Sequence, residues 1–256
     1  MRALLVLAPN PGPMTLDGTN TWLLAEPGSR EAVVVDPGPD HEGHLAAVLA
    51  AAAAQDVTVR QILLTHGHPD HAEGARRFAG LTGAPVRALD PAHRLGGEGL
   101  AGGTTVTVGG LEIAVVSTPG HTSDSLSFLL VAEGALLTGD TVLGRGSTLV
   151  AHPDGRLGDY LDSLERLAAL AEAGTVRTIL PGHGPLVDDP AAVVAAYLAH
   201  RRSRLVQVEQ AWADGARTPV DVVAVVYADV DRALWPAAEL NVRAQLEYLD
   251  QRRLGG

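Results

Sequence analysis

One histidine-rich segment constrains this chain more than any other feature. Residues 65–71 read THGHPDH and directly follow residues 57–64, a largely apolar stretch that predicts a buried strand. Alternate residues of an extended chain point to opposite sides, so His66 and His68 can face one point only if the chain turns sharply. The glycine and the proline inside the segment favour such a turn. The segment therefore predicts a metal-binding loop at the end of a buried strand.

Two residue types that serve other catalytic chemistries are absent. The chain has 256 residues and no cysteine, and all of its 19 basic residues are arginine. Without cysteine there is no disulfide framework, no thiolate metal site and no cysteine nucleophile. Without lysine there is no Schiff-base mechanism and no phosphate-binding P-loop. Histidine and the carboxylates remain as the main functional groups.

Three further candidate ligands also follow predicted strands. His121 comes after a Thr-Pro-Gly step, His183 comes after a Pro-Gly step, and Asp140 comes after a Thr-Gly step. Rigid strands that end in short turns can deliver such side chains to one rim of a sheet. The nitrogen and carboxylate donors suit zinc, with iron or manganese as alternatives. The predicted metal ligands are His66, His68, Asp70, His71, His121, Asp140 and His183.

The order of strands and helices predicts an α/β fold made of two similar halves. Apolar or alternating runs bounded by turn residues predict the strands, and longer runs without breakers predict the helices. Two mixed sheets packed face to face with helices outside, an αβ/βα sandwich of four layers, accommodate this order. The predicted strands are 21–24, 32–35, 57–64, 86–89, 104–108, 111–116, 126–131, 135–137 and 176–180, and the predicted helices are 41–54, 73–79 and 160–173.

The charge balance and the predicted secondary structure of the chain change near Pro190. Residues 1–190 carry 11 arginines and 22 acidic residues, whereas residues 191–256 carry eight of each and contain no predicted strand. Three helices are predicted there, over residues 191–213, 218–227 and 234–253, and Thr218 followed by proline is a good start signal. We therefore expect an acidic domain with the metal ligands over residues 1–190 and a helical annex over residues 191–256.

The metal-ligand motif resembles that of the metallo-beta-lactamase superfamily, and the segments NPGP at residues 10–13 and TNT at 19–21 resemble its beta-lactamase-like protein 2 group. The resemblance implies a metallo-beta-lactamase fold with a winged-helix-like annex. It implies His66, His68 and His121 on a first metal and Asp70, His71 and His183 on a second. It also implies that Asp140 bridges the two metals.

The resemblance further implies a hydrolase with two zinc ions, a metal-bridging hydroxide as nucleophile and Asp70 as the catalytic carboxylate. Lactamases of two classes use a cysteine where this chain has Asp140, so beta-lactam hydrolysis is the less favoured activity. We expect a small ester or thioester as substrate. The alternative is cleavage of single-stranded RNA, which the net charge of -11 and only nine aromatic residues disfavour.

Other features carry weaker expectations. The first apolar run is too short for a signal peptide and no run is long enough to span a membrane, so we expect a cytoplasmic protein without a membrane partner. The annex could form a lid, a homo-oligomer contact or, in a non-enzymatic alternative, a DNA-binding unit. Ordinary structural roles are predicted for Ser125 and His152, for a GxGxxG string at residues 97–102, and for His41, His44, His93 and His200.

Overall fold

A computed structural model of the chain describes residues 2–254. Its centre is a pair of five-stranded mixed sheets. The first sheet has the order β1 to β5, with strands Ala3–Leu7, Asn20–Ala25, Glu31–Val35, Thr58–Leu63 and Val86–Arg87. The second has the order β10 to β6, with β6 to β10 at Thr105–Val108, Leu111–Ser117, Leu126–Leu130, Ala135–Gly139 and Thr178–Pro181.

Apolar side chains of the first sheet are buried on both of its faces. Trp22 and Leu24 of β2 point into the cluster between the two sheets, together with Ile113 and Phe128 of the second sheet. Leu23, between them in the chain, joins a different cluster on the opposite face. Because side chains of a strand alternate between its faces, an apolar run buried on both faces requires a layer on each side.

Helices supply these outer layers and complete the predicted four-layer αβ/βα sandwich. Two of these helices pack against the first sheet through Leu45, Val48 and Phe78. Tyr160 and Leu164 bring another helix against the outer face of the second sheet. The helices before residue 190 are α1 Glu42–Ala54, α2 Pro69–Ala72, α3 Ala75–Thr82 and α4 Leu157–Glu172.

Parallel pairing places several strand ends at one rim. β3 and β4 pair in parallel in the first sheet, and β9 and β10 pair in parallel in the second. Parallel neighbours end at the same edge of a sheet, so the residues that follow them come close together. Asp36 follows β3, Thr65 and His66 follow β4, and Asp140 follows β9. This edge carries the candidate site described below.

The C-terminal region is helical over the residues described, with α5 at Pro190–Ala213, α6 at Pro219–Val226 and α7 at Trp235–Leu254. Thr218 caps α6 as expected, and its hydroxyl accepts a hydrogen bond from the Asp221 amide in a capping box. Val194 and Tyr197 of α5 join the cluster that covers the second sheet. The boundary at residue 190 stays a prediction, because α5 packs on both parts of the molecule.

The structure contains one strand that was not predicted and differs from two expected elements. Strand β1 was not predicted; it pairs with β2 at the sheet edge, and its unbroken apolar run has no alternation to reveal it. The helix expected at 73–79 is α3, Ala75–Thr82; it begins after Gly74, whose amide donates to the carbonyl of Gly38, and the separate short helix α2 precedes it. The strand expected at 86–89 pairs only over Val86–Arg87. Within residues 2–254, no helix has both the length and the apolar character needed to cross a bilayer.

Candidate metal centre

Three imidazole nitrogens converge on one point at the rim. His66 Nε2 lies 3.1 Å from His68 Nδ1, and His121 Nε2 lies 3.0 Å from the same atom. Zinc-nitrogen bonds of 2.0–2.1 Å in a tetrahedral arrangement separate the ligand atoms by about 3.4 Å. The three nitrogens therefore have the spacing of ligands around a single metal ion. We call His66, His68 and His121 the first cluster.

A second group of donors lies beside the first. His183 Nε2 is 3.2 Å from His71 Nε2 and 3.1 Å from Asp70 Oδ2. Asp70 Oδ2 is 3.4 Å from His71 Nε2, which closes the triangle. We call Asp70, His71 and His183 the second cluster. One carboxylate and two imidazoles form a donor set of the kind that zinc uses in proteins.

The Asp140 carboxylate lies between the two clusters. Its Oδ1 atom is 3.4 Å from both His71 Nε2 and His183 Nε2, and its Oδ2 atom is 3.7 Å from His121 Nε2. Oδ1 is buried and has no hydrogen-bond partner among the described residues. A buried carboxylate oxygen without a partner is costly unless a cation neutralises it. The donor set therefore fits two metal ions that share Asp140.

Hydrogen bonds on the outer side of three imidazole rings fix which ring nitrogen faces the candidate metal site. The Nδ1 atom of His183 donates to the carbonyl of Gly18 at 3.0 Å, and that of His121 donates to the carbonyl of Leu149 at 2.6 Å. The Nδ1 atom of His71 donates to Asp36 Oδ2 at 2.9 Å. Such partners orient metal-binding imidazoles and select the tautomer whose lone pair faces inward.

Asp36 is a residue of the candidate site that the sequence analysis did not identify. Its carboxylate is buried and accepts from the Thr65 amide at 2.8 Å and from the Thr65 hydroxyl at 2.7 Å, in addition to His71. It therefore holds both the start of the histidine loop and one imidazole of the second cluster. An acidic residue directly after β3, the parallel neighbour of β4, was the signal available in the sequence.

The local chain path depends on two glycines. A side chain at Gly67 would bring a Cβ atom within 2.3 Å of His93 Nε2, so glycine lets the loop pass under that ring without displacing it. A Cβ atom at Gly182 would lie 2.7 Å from Asp140 Oδ1. His68 is the residue before the first turn of α2, and Pro69 occupies the first position of that helix. The short helix then presents Asp70 and His71 to the second cluster.

Burial lowers the pKa values of two histidines in the first cluster, whereas neighbouring carboxylates raise that of His183 in the second. Burial lowers the pKa of His66 well below its usual value and also lowers the pKa of His121. Burial acts to lower the pKa of His183, but contacts with the Asp140 and Asp70 carboxylates raise it to about 9. Burial acts to raise the pKa of Asp140, but the His71 charge and contacts with His183 hold it well below its usual range. The carboxylates of the site are thus ionised and favour added positive charge.

The structure brings all seven predicted ligands together, and their binding of metal stays a prediction. Of the other residues considered, Ser125 bonds to Thr122 in the loop that carries His121. His152 lies apart from both clusters, 3.7 Å from Glu247. His44 is buried in α1 and shares a hydrogen bond with Thr21. His200, in contrast, lines the pocket above the metal centre.

That pocket has a volume of about 400 Å³ and is shared between the two parts of the molecule. His68, Asp70 and Asp140 form its floor. Its walls come from the 13–16 loop, the 143–149 loop and the C-terminal helices, including Arg201 and Tyr227. A molecule bound in it would therefore contact the candidate metal ligands and the C-terminal helices together.

Family comparison agrees with this arrangement. The model of the metallo-beta-lactamase superfamily matches residues 14–183, a range that contains all seven candidate ligands. The chain belongs to the metallo-beta-lactamase superfamily. The model of the beta-lactamase associated winged helix domain matches residues 218–254. The fold is thus a metallo-beta-lactamase fold followed by a C-terminal winged-helix domain, as the sequence predicted.

Relatives within this superfamily resemble the chain over nearly its whole length. A beta-lactamase-like protein 2 homolog of Drosophila melanogaster is 33% identical, covering 96% of this chain and 87% of the relative. The lactamase-like protein vrtG of Penicillium aethiopicum is 33% identical, covering 98% and 79%. The structure of a metallo-beta-lactamase family protein from Thermus thermophilus has a TM-score of 0.80 at 25% identity, covering 98% and 94%.

Proposed function

We propose that the protein is a zinc-dependent hydrolase with two metal ions that acts on a small ester or thioester. The position of Asp140 carries this proposal. Its two carboxylate oxygens face different clusters, and the oxygen nearer His71 and His183 is buried without a hydrogen bond. A carboxylate so placed can bind two cations at once, which offsets the repulsion between them.

The residues of the site have different roles in this proposal. The first cluster would hold one ion and the second cluster the other, with Asp140 shared. Two divalent cations held in this way supply an activated water nucleophile and polarise the oxygen of the scissile group. Asp70 is the less buried of the two ligand carboxylates and lines the pocket, so it can orient the attacking water and accept a proton at Oδ1, while Oδ2 faces the second cluster. The Thr19 hydroxyl donates to Oδ2 at 3.4 Å.

The surroundings of the pocket favour a small substrate. Apolar side chains such as Met14, Leu149 and Val230 make up much of its wall, which excludes water around a bound acyl group. A long RNA strand would instead need an extended cationic track with aromatic platforms. The net charge of -11 and the absence of lysine oppose such binding. Hydrolysis of RNA is accordingly an outcome of the test below.

The first part of the test is metal content. Protein loaded with zinc and then desalted should retain about two ions per chain by elemental analysis. The Asp140→Ala variant should retain fewer. Wild-type protein that retains no metal after loading with zinc, iron or manganese would contradict the proposal.

The second part is a substrate panel. Metal-loaded protein is incubated with aryl esters, acyl thioesters, lactones, single-stranded RNA and a chromogenic lactam, with a His66→Ala/His68→Ala variant as the blank. We expect turnover of an ester or thioester that the blank lacks. If RNA is the only compound hydrolysed, the proposed ester or thioester substrate is wrong and the proposed metal centre is retained. Turnover by the blank at the wild-type rate would exclude the first cluster as the active centre.

A further inference from the structure

Arg201 of α5 is a buried cation without an acidic partner. Only 2% of its surface is exposed. No carboxylate within residues 2–254 forms an ion pair with it, whereas its neighbour Arg202 pairs with Glu165 at 2.9 Å. A buried charge that lacks a counter-ion is costly, so it is normally paired or serves a ligand.

The contacts of Arg201 are neutral and incomplete. One terminal nitrogen donates to the carbonyl of Thr148, and the other lies 3.5 Å from Asn241 Oδ1. The guanidinium carbon lies 5.0 Å from the centre of the Tyr160 ring. The Nε atom is buried and has no hydrogen-bond partner among the described residues. A guanidinium group has five N–H donors, so these neutral contacts leave much of its donor capacity unused.

The same residue lies at the wall of the pocket above the metal centre. Arg201 lines that pocket together with its two partners, Thr148 and Asn241, and with Asp140 of the floor. The Thr148 hydroxyl is also 3.3 Å from Nδ1 of the first-cluster residue His121. A group bound by Arg201 would therefore lie close to the reacting part of a substrate.

A second arginine adds to the positive character of this wall. Arg204, one helical turn along α5, also lines the pocket; it stacks 4.6 Å from the Tyr227 ring and donates to the carbonyl of Val226. Burial and the positive charges of Arg201 and Arg204 lower the pKa of His200, which lines the pocket as well. The wall contributed by α5 is therefore cationic in a protein whose net charge is -11.

We propose that Arg201 forms an anion subsite beside the metal centre, which binds a carboxylate or phosphate group carried by the substrate itself. This inference rests on the proposed function, because it describes the substrate of the same pocket. The planar fork of a guanidinium matches both anions. The pocket volume of about 400 Å³ accommodates the anionic group and the scissile ester of one small molecule. The substrate is thus an anionic ester or thioester.

Three esters of matched shape test the subsite. These are 4-acetoxybenzoate, 4-acetoxyphenyl phosphate and the neutral 4-acetoxybenzamide. In the Arg201→Met variant, which keeps an apolar side chain, kcat/KM should fall roughly 10- to 100-fold more for an anionic ester than for the amide. The more affected anion identifies the group that the subsite prefers. The Arg202→Met variant removes a charge from the same helix outside the pocket and should not change the preference.

A second variant tests the same subsite without removing the arginine. Asn241→Asp places a carboxylate beside Arg201 and still accepts its hydrogen bond. This internal counter-ion should compete with the ligand and lower the preference for the anionic esters. If circular dichroism shows that Arg201→Met is unfolded, the Asn241→Asp variant alone tests whether Arg201 binds the anionic group. An equal loss for all three esters, or no loss at all, would mean that Arg201 is only structural and would overturn the proposal.

A binding measurement separates failure of the subsite from failure of the proposed function. Calorimetry with metal-loaded protein compares 4-hydroxybenzoate and 4-hydroxyphenyl phosphate with 4-hydroxybenzamide. If the wild type hydrolyses none of the esters, the proposed ester hydrolysis is wrong for these compounds, and this measurement still tests the subsite. The subsite is supported if the wild type binds an anion more tightly than the neutral amide and if Arg201→Met abolishes that difference. Equal affinities in the wild type and the variant overturn it.

Discussion

Replacing Asp36 by asparagine should weaken the second metal cluster while leaving the fold intact. Asp36 binds no metal in the proposed arrangement and acts through His71. Asparagine has nearly the same shape and tolerates the left-handed backbone found at this position, where φ is 49°. Its amide can still accept from the Thr65 amide. It cannot accept from both the Thr65 hydroxyl and the His71 ring as the carboxylate does.

The size of the effect follows from the lost hydrogen bond. A bond to a charged acceptor contributes about 1.5–3 kcal/mol, and loss of such a partner typically lowers metal affinity roughly 10- to 100-fold. These two ranges agree, because a tenfold change in affinity corresponds to about 1.4 kcal/mol. We therefore expect the dissociation constant of one of the two metal ions to rise by this factor. The other ion, in the first cluster, should lose less affinity, because asparagine still accepts from the Thr65 amide at the start of the histidine loop.

Competition with a chromogenic zinc chelator measures both binding steps, and the exposed Asp40 provides the matched control. Asp40→Asn removes a carboxylate that pairs with the surface residue Arg77. Thermal unfolding of the apo-proteins checks that both variants fold. Two unchanged dissociation constants in Asp36→Asn would refute the role of Asp36, and an equal loss at both steps would refute the division into two clusters.

Three further predictions concern the ligands. Asp140→Ala should weaken both binding steps, whereas His183→Ala should weaken only one; equal loss in the two variants, measured by the same competition, would show that Asp140 is not shared. Because the His183 pKa is raised to about 9, this ring is protonated at neutral pH and must release its proton to bind metal. Affinity at the second cluster should therefore rise with pH up to about 9, which calorimetry in buffers of different ionisation enthalpy can measure as proton release. Gly182→Ala should lower metal content, because the added carbon would lie 2.7 Å from Asp140 Oδ1; Gly80→Ala, in open space on α3, serves as the control and should bind metal normally.

Local pattern was sufficient to predict most of the fold. Turn residues such as Gly109 and Gly110 lie between strands that pair as the expected hairpin. The capping of α6 by Thr218 follows from neighbouring residues, and the structure confirms it. These features depend on contacts within a few residues, which a single sequence displays directly.

The features that were missed depend on contacts between distant segments. Asp36 is 35 residues from His71, and nothing near either residue shows that β3 and β4 lie side by side. The role proposed for Arg201 depends on its position beside the Thr148 carbonyl, 53 residues away. In the sequence, Arg201 is one of three arginines in an ordinary helical stretch. Its lack of an ion pair with any carboxylate of residues 2–254 is a property of the folded chain alone.

The origin of the ligands in the two halves of the chain has a mechanical consequence. The first cluster combines His66 and His68 from the first half with His121 from the second, and the second cluster adds His183 to Asp70 and His71. Each bound ion would therefore connect one sheet to the other at the rim where the pocket opens. Ligands that bind only the folded state raise its stability in proportion to the logarithm of their concentration. In the proposed arrangement, the cohesion of the two halves would thus depend on metal supply, and scarcity of the metal would loosen the same rim that shapes the pocket.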